Sequence, residues 1–398
     1  MNKKSILFIT KDAFFKGYLP IYGNKLWKTP NIDELASKGT VFHNHHTGAP
    51  STIMSNICMF TSRFAHETEL SDYVFSKIHY PGETLWSKAE TLGYKCHIIW
   101  DEAWDSVFKA RERYFCYGEN TVIHPLNNLR QGVGAHHKHD GFLAINRDLA
   151  GSTIQMLMHE VKSIIESEST PVFLWIHIPH VLNGFNGYGS DIEAFDEIIG
   201  HCREYFSDDN IFISADHGNM NAAKGKFCYG FDVYEPSACI PLITPLIEGE
   251  KIVKCTTSNV DVCKIIFDRK IPKREFIYCD SAFYKQPYRK LAIYYKQFKY
   301  IYNKAEHSEE LYDINLDPHE NCNLIDDYWY DPKRKGIVPI RELYYYPNWD
   351  ILPDIRALLR SEKEHMWIQE TWTERMKLNI RQKMINFKIF LLNIIKAN

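Results

Sequence analysis

Carboxylates and imidazoles that close short apolar runs are the side chains of this chain best placed to do chemistry. Asp12 follows SILFITK, Asp216-His217-Gly218 follows NIFISA, and His177 and His180 end VFLWIHIPH. The segment GAPSTIMSNICMFTS adds the hydroxyls of Ser51, Thr52 and Ser55. A hydroxyl that attacks a phosphate or sulfate ester must lose its proton and be shielded from bulk water, and a divalent ion held by carboxylate and imidazole achieves both electrostatically. Asp12, Asp216 and His217 can supply ligands for one such ion. Each also has a plainer reading, because an Asp at a strand end is commonly a turn or cap residue. Three histidines in HHKHD, His136 to Asp140, could likewise hold a metal, form a solvated turn, or sit in a loop over a substrate.

These residues need a scaffold that brings distant strand ends together. Ser5 to Thr10, Tyr94 to Trp100, Val172 to Ile178 and Asn210 to Ala215 are short, continuously apolar runs, as expected of parallel strands covered on both faces. Between them Thr29 to Lys38, Glu83 to Leu92, Ser152 to Glu168 and Asp191 to Phe206 have helical spacing. The pattern predicts an α/β fold with a large, mostly parallel sheet between helices, and in such sheets loops beyond the carboxyl ends of strands converge on the chemistry. From Arg274 the segments become short and alternating, which predicts a small antiparallel sheet. The expected organisation is a catalytic domain over 1–270, a small-sheet subdomain over 271–325, and an irregular segment with a helical tail over 326–398.

Composition narrows the function classes. With 45% hydrophobic and 24% charged residues the chain has the apolar surface of a folded protein, and a net charge of −3 gives no compositional support for a nucleic-acid partner. The 10 cysteines are scattered singly, so free thiols in a reducing compartment are expected. No run approaches the ~20 apolar residues of a membrane span, and the short N-terminal run reads as a strand. A cytoplasmic location is therefore expected. Residues 375–398 carry six basic residues and no acid, with Met376, Ile380, Met384, Phe387, Leu391 and Ile394 forming an apolar stripe. Such a helix can lie on the inner face of an anionic membrane, or pack on the main domain or a second subunit of a homo-oligomer.

Four blocks carry a resemblance: ILFITKDAFFKGYLPIYGN, KTPNIDELASKGTVFHNHHTGAPSTIMSNICMFTS, NIFISADHGNM and KQFKYIYNKAEHSEELYDINLDPHENCNL. In order and spacing they resemble the signature blocks of the sulfatase and phosphoethanolamine-transferase branch of the alkaline-phosphatase superfamily. The resemblance implies an alkaline-phosphatase-like fold, with Asp12, Asp216 and His217 as metal ligands and Thr52 as nucleophile sharing the same ion. It implies that His180, or His177 if the alignment closes a gap, binds the transferred group or protonates the leaving oxygen. It points to Lys224, Lys226 and Tyr229 for the ester's free oxygens, with Asn219 as a loop neighbour, and to Ser55 beside the nucleophile.

Departures from the pattern refine the expectation. Sulfatase maturation requires Cys or Ser at the nucleophile, Pro two residues on and Arg four on, whereas this chain has Thr52, Met54 and Asn56. The run Cys58-Met59-Phe60 after Thr52 is nearer to the transferase branch. Asp12 is followed by Ala13 and not by a second acid, and an imidazole ligand favours Zn²⁺ or Mn²⁺ over Ca²⁺. The resulting expectation is a metal-dependent phosphoesterase or phosphotransferase acting on a phosphorylated glycan, polysaccharide precursor or lipid-linked intermediate. The alternatives are a sulfatase without formylglycine, acting on a sulfated glycan, and a catalytically silent glycan-binding relative.

Overall fold

The computed structural model describes residues 4–68, 82–102, 120–127, 129, 136–139, 142–145, 147–179, 188–226, 228–281, 289–326, 328–331, 333–343 and 346–366. In chain order the strands of the first half are β1 (Ile6–Lys11), β2 (Thr40–Phe42), β3 (His45–His46), β4 (Lys95–Asp101), β5 (Val122–Leu126), β6 (His136–His139) and β7 (Phe142–Ile145). They are followed by β8 (Val172–Ile178), β9 (Ile211–Ala215), β10 (Leu242–Thr244), β11 (Ile252–Val253) and β12 (Thr257–Ser258). Eight of them form one sheet in the order β11-β2-β10-β9-β1-β8-β4-β5. All pairings are parallel except those of β10 with β9 and β2. The fold is the large mixed sheet that the apolar runs predicted.

Alternation along β1 explains the layers. Ile6 and Phe8 enter one core with Phe173, Trp175 and Phe212, covered by helices α2 (Thr52–Thr61) and α3 (Leu85–Thr91). Leu7 and Ile9 enter the other core with Leu174, Ile176 and Ile213, covered by α1 (Pro30–Lys38), α4 (Arg147–Ser167) and α5 (Tyr188–Cys202). Because both faces of β1, β8 and β9 are buried, their sequences are continuously apolar until the strand ends, where Asp12, His177 and Asp216 appear.

A second sheet is an antiparallel meander of β13 (Phe276–Asp280), β14 (Lys290–Tyr295), β15 (Phe298–Asn303) and β16 (Ser308–Asp313), as the alternating segments predicted. The HHKHD segment departs from the loop reading. His136–His139 is strand β6, paired antiparallel with β7, whose Phe142–Ile145 is apolar enough to form a hairpin partner. Asp140 lies outside the described residues. The chain forms two compact units, 1–352 and 353–398. Of the second, the described part belongs to a helix over Leu352–Met366, and the basic stripe of 375–398 lies outside the described residues. Among the described residues no helix is long and apolar enough to cross a membrane.

Candidate active site

Three neighbouring elements place the predicted ligands. β1 and β9 are adjacent parallel strands, so their carboxyl ends present Asp12 and Asp216-His217 side by side. The chain must reverse sharply after Asp12, and Ala13 takes a left-handed φ of 56°. That turn aims the Ala13 N–H at Asp216 Oδ1, 3.1 Å away, and the His217 N–H donates to the same oxygen at 2.7 Å. Asp216 Oδ1 is thus fixed by two backbone donors. Gly218 is required by crowding: a Cβ there would lie 2.1 Å from the Pro236 carbonyl oxygen.

Thr52 enters as the first residue of α2, with Ser51 as an extended N-cap whose side chain makes no capping bond. The N-terminal end of a helix, where amide N–H groups lack intrahelical partners, thus begins at Thr52, and such an end favours a nearby anion. Thr52 is 6% exposed; its hydroxyl donates to Asp12 Oδ1 at 3.3 Å and lies 3.0 Å from His217 Nε2. His217 Nε2 is 3.5 Å from Asp12 Oδ1 and 3.4 Å from Asp216 Oδ2. Its Nδ1 donates to the Gly218 carbonyl at 2.7 Å, which leaves the Nε2 lone pair directed at the cluster.

This group fits a cation. One ligand atom from each of Asp12, Asp216 and His217 lies within 4.8 Å of the others, and all three residues are buried. Asp216 Oδ2 is fully buried with no hydrogen-bond donor, a costly state for a carboxylate oxygen unless positive charge sits beside it. Burial, opposed by His217 and reinforced by Asp12, pushes the Asp216 carboxyl up to about 7.

The other predicted residues fall in different surroundings. His177, at the end of β8, is buried with Nε2 4.0 Å from Asp216 Oδ2. Its Nδ1 is 2.9 Å from Thr10 Oγ1, which accepts the Trp175 indole N–H at 2.9 Å. His180 lies outside the described residues. The half-buried Tyr229 ring stands 4.4 Å from the His217 ring. Ser55 Oγ is bound to the Asp216 carbonyl, to Thr47 Oγ1 at 2.9 Å and to Asn259 Nδ2 at 2.8 Å, so it ties α2 to the end of β9. Lys224 donates to the Glu320 carbonyl and Lys226 pairs with Asp232 at 2.8 Å. Asn219 Oδ1 accepts the Asn221 N–H at 3.1 Å, a local loop bond.

Thr10 and Trp175 were not singled out from the sequence. The available signal for Thr10 was that it opens the polar run Thr10-Lys11-Asp12, buried throughout, that ends an apolar strand. A second buried group, His46, Glu235 and Cys239, also escaped sequence reading, because His46 is 189 positions from Glu235, which opens the short segment 235–239 that supplies the other two. His46 Nε2 lies 3.1 Å from Glu235 Oε2, and Glu235 Oε1 receives Lys299 Nζ at 2.9 Å and Tyr294 OH at 3.0 Å. Lys299 also contacts Glu320 at 2.7 Å.

A family model described as sulfatase matches residues 4–242. The chain is 27% identical over 151 residues to an arylsulfatase of Clostridium perfringens, covering 37% of this chain and 27% of that protein. It is 26% identical over 98 residues to an N-acetylglucosamine-6-O-sulfatase of Bacteroides thetaiotaomicron, covering 25% of this chain and 17% of that one. The matched stretches thus span about a quarter or less of these curated relatives. In fold, the phosphonate monoester hydrolase of Agrobacterium radiobacter superposes with a TM-score of 0.60 at 15% identity, over 85% of this chain and 99% of that one.

Proposed function

The chain belongs to the sulfatase family, and from that premise we propose that it is a metal-dependent esterase whose nucleophile is Thr52, acting on a phosphate ester of a glycan or lipid-linked precursor. The observation that carries this reading is the position of Thr52 Oγ1, between His217 Nε2 at 3.0 Å and Asp12 Oδ1 at 3.3 Å, beside a buried carboxylate oxygen that has no donor. Asp12, Asp216 and His217 would hold the divalent ion, with Zn²⁺ or Mn²⁺ favoured by the imidazole. When bound, such an ion supplies positive charge that acidifies a neighbouring hydroxyl and neutralises ester oxygens.

The residues of the chain then have distinct tasks. Thr52 Oγ1 attacks phosphorus in line and forms a Thr52 ester as the alcohol leaves; water or an acceptor hydroxyl releases the ester in a second step. The amides at the start of α2 bind the ester's oxygens. Thr10 accepts the Trp175 N–H, so its own proton is available to His177 Nδ1, and this leaves His177 Nε2 protonated as a donor toward the leaving oxygen. His180 is the other candidate donor. Tyr229 is the proposed contact to substrate beside His217, and Lys224 and Lys226 are the further substrate-side residues on the same loop.

The names of the curated relatives favour a second reading, hydrolysis of a sulfate ester on a sulfated glycan. Turnover of bis-p-nitrophenyl phosphate against p-nitrophenyl sulfate ranks the two. Under either reading Thr52→Ala lowers kcat by about 10⁴-fold while stoichiometric metal remains, and Thr52→Ser retains measurable turnover. Undiminished activity in Thr52→Ala would exclude the nucleophile.

A further inference from the structure

A cavity of about 490 Å³ opens among the β11–β12 connection, the segment that enters β13 and the β14–β15 turn. None of the residues of the Thr52 cluster lines it. Its volume lies within the range of about 300–1,000 Å³ common for small-molecule sites. Lys254, Lys273, Arg274 and Lys296 line the cavity against one carboxylate, Glu275. Arg274 is committed to Asp261 at 2.8 Å. The ammonium groups of Lys254, Lys273 and Lys296 are exposed, and among the described residues none has a carboxylate within 4.0 Å. Three uncompensated cations thus converge on one concavity of a chain whose net charge is −3.

The turn that carries Lys296 strengthens the case for a ligand. Lys296 has a left-handed φ of 54° in the two-residue connection between β14 and β15, where Gly or Asn would be less strained. Backbone strain of this kind persists where the surrounding structure fixes it, and it concentrates at binding sites. Beside it the walls offer the amides of Gln297 and Asn315, and the Lys296 ammonium rests 4.9 Å from the centre of the Tyr295 ring, which stacks on Phe276. Ammonium groups match sulfate or phosphate, and amides match sugar hydroxyls.

We propose that this cavity binds the anionic groups of a sulfated or phosphorylated carbohydrate chain, as an accessory site for a polymeric substrate. The choice of carbohydrate rests on the ester-cleaving reading above, whereas the anion site rests on the cavity alone. A planar lipid surface would engage a convex basic patch more readily than this concave one. A single nucleic-acid strand would call for a longer track of cations and stacking rings.

The test uses the full chain and calorimetric titration with a heparin-derived tetrasaccharide, its desulfated counterpart, sodium sulfate, a short single-stranded RNA and phosphatidylglycerol vesicles. The tetrasaccharide should bind wild type and Thr52→Ala alike. It should bind the combined Lys254→Ala, Lys273→Ala, Lys296→Ala variant about tenfold or more weakly, and recover when the same three positions are Arg. Equal affinity in the alanine variant, or equal binding of the desulfated sugar, would overturn the proposal. So would tighter, lysine-dependent binding of the RNA, the vesicles or sulfate alone. Failure of Thr52 as nucleophile would be read in turnover and would leave these titrations unaltered.

Discussion

Two buried groups of acids and imidazoles offer similar ligand atoms and differ in charge balance. In the group around Glu235, Lys299 contacts both Glu235 at 2.9 Å and Glu320 at 2.7 Å. Burial would depress His46, but Cys239 and Glu235 beside it win and raise it to about 9. Burial would likewise raise Glu235, and Lys299 and His46 instead hold it well below the usual carboxylate range. Asp216, by contrast, is met among the described residues by the imidazoles of His217 at 3.4 Å and His177 at 4.0 Å and by no Lys or Arg, and it is pushed up to about 7. A set of ligand-type residues is therefore a poor guide to a metal site by itself; what separates the two groups is that Lys299 stands between Glu235 and Glu320, whereas Asp216 is met by imidazoles and backbone amides.

Four experiments can break or sharpen this contrast. Asp216→Asn should cost about 10³-fold or more in kcat/KM and abolish any metal-induced rise in melting temperature. The same change should leave the metal-free protein no less stable, because an amide oxygen can keep the two backbone donors of Asp216 Oδ1 while the buried charge is removed; a large loss of metal-free stability would break the contrast. Lys299→Met leaves two buried carboxylates without their shared cation, and denaturant unfolding should show a loss of about 3–5 kcal/mol. Adding Zn²⁺ or Mn²⁺ at about 100 times its Kd to chelator-treated protein should stabilise it by about 2.7 kcal/mol, and Asp12→Asn should remove that gain while His46→Gln does not.

The smallest effect concerns pH. The folded value of His46, about 9, lies above its ordinary 6.5, so the folded state binds that proton more tightly. Its stabilisation is complete below about pH 6.5 and is lost as the pH rises through about 9. Melting temperatures measured across that interval should fall in wild type and fall less steeply in His46→Gln. Parallel slopes would show that His46 is not charged in the fold.

Much of this architecture is legible because burial on both faces leaves a periodic signature. β8 matches its apolar run from Val172 to Ile178, and β14 matches Lys290 to Tyr295. The short strands β2, β10 and β11 have three, three and two residues, too few for any period to emerge. They are defined by partners such as Ile243 against Val41, about 200 positions apart in the chain. Asp12, Thr52, Asp216 and His217 could be picked out because they interrupt apolar runs or sit in recurring blocks. Nothing local in the sequence marks Thr10 as the partner of His177, or Lys299 as the counter-ion of Glu235.

The sequence by itself determined the longer strands and the helices, since periodicity and turn chemistry are local properties. It also determined which side chain types stand at the strand ends. Tertiary structure alone decided that β1 and β9 lie side by side, so that Asp12 and Asp216 share one buried space, and that Lys299 stands between Glu235 and Glu320. Electrostatic balance in a low-dielectric interior depends on distances of a few ångströms between residues far apart in the chain, and these are set only when the sheets pack.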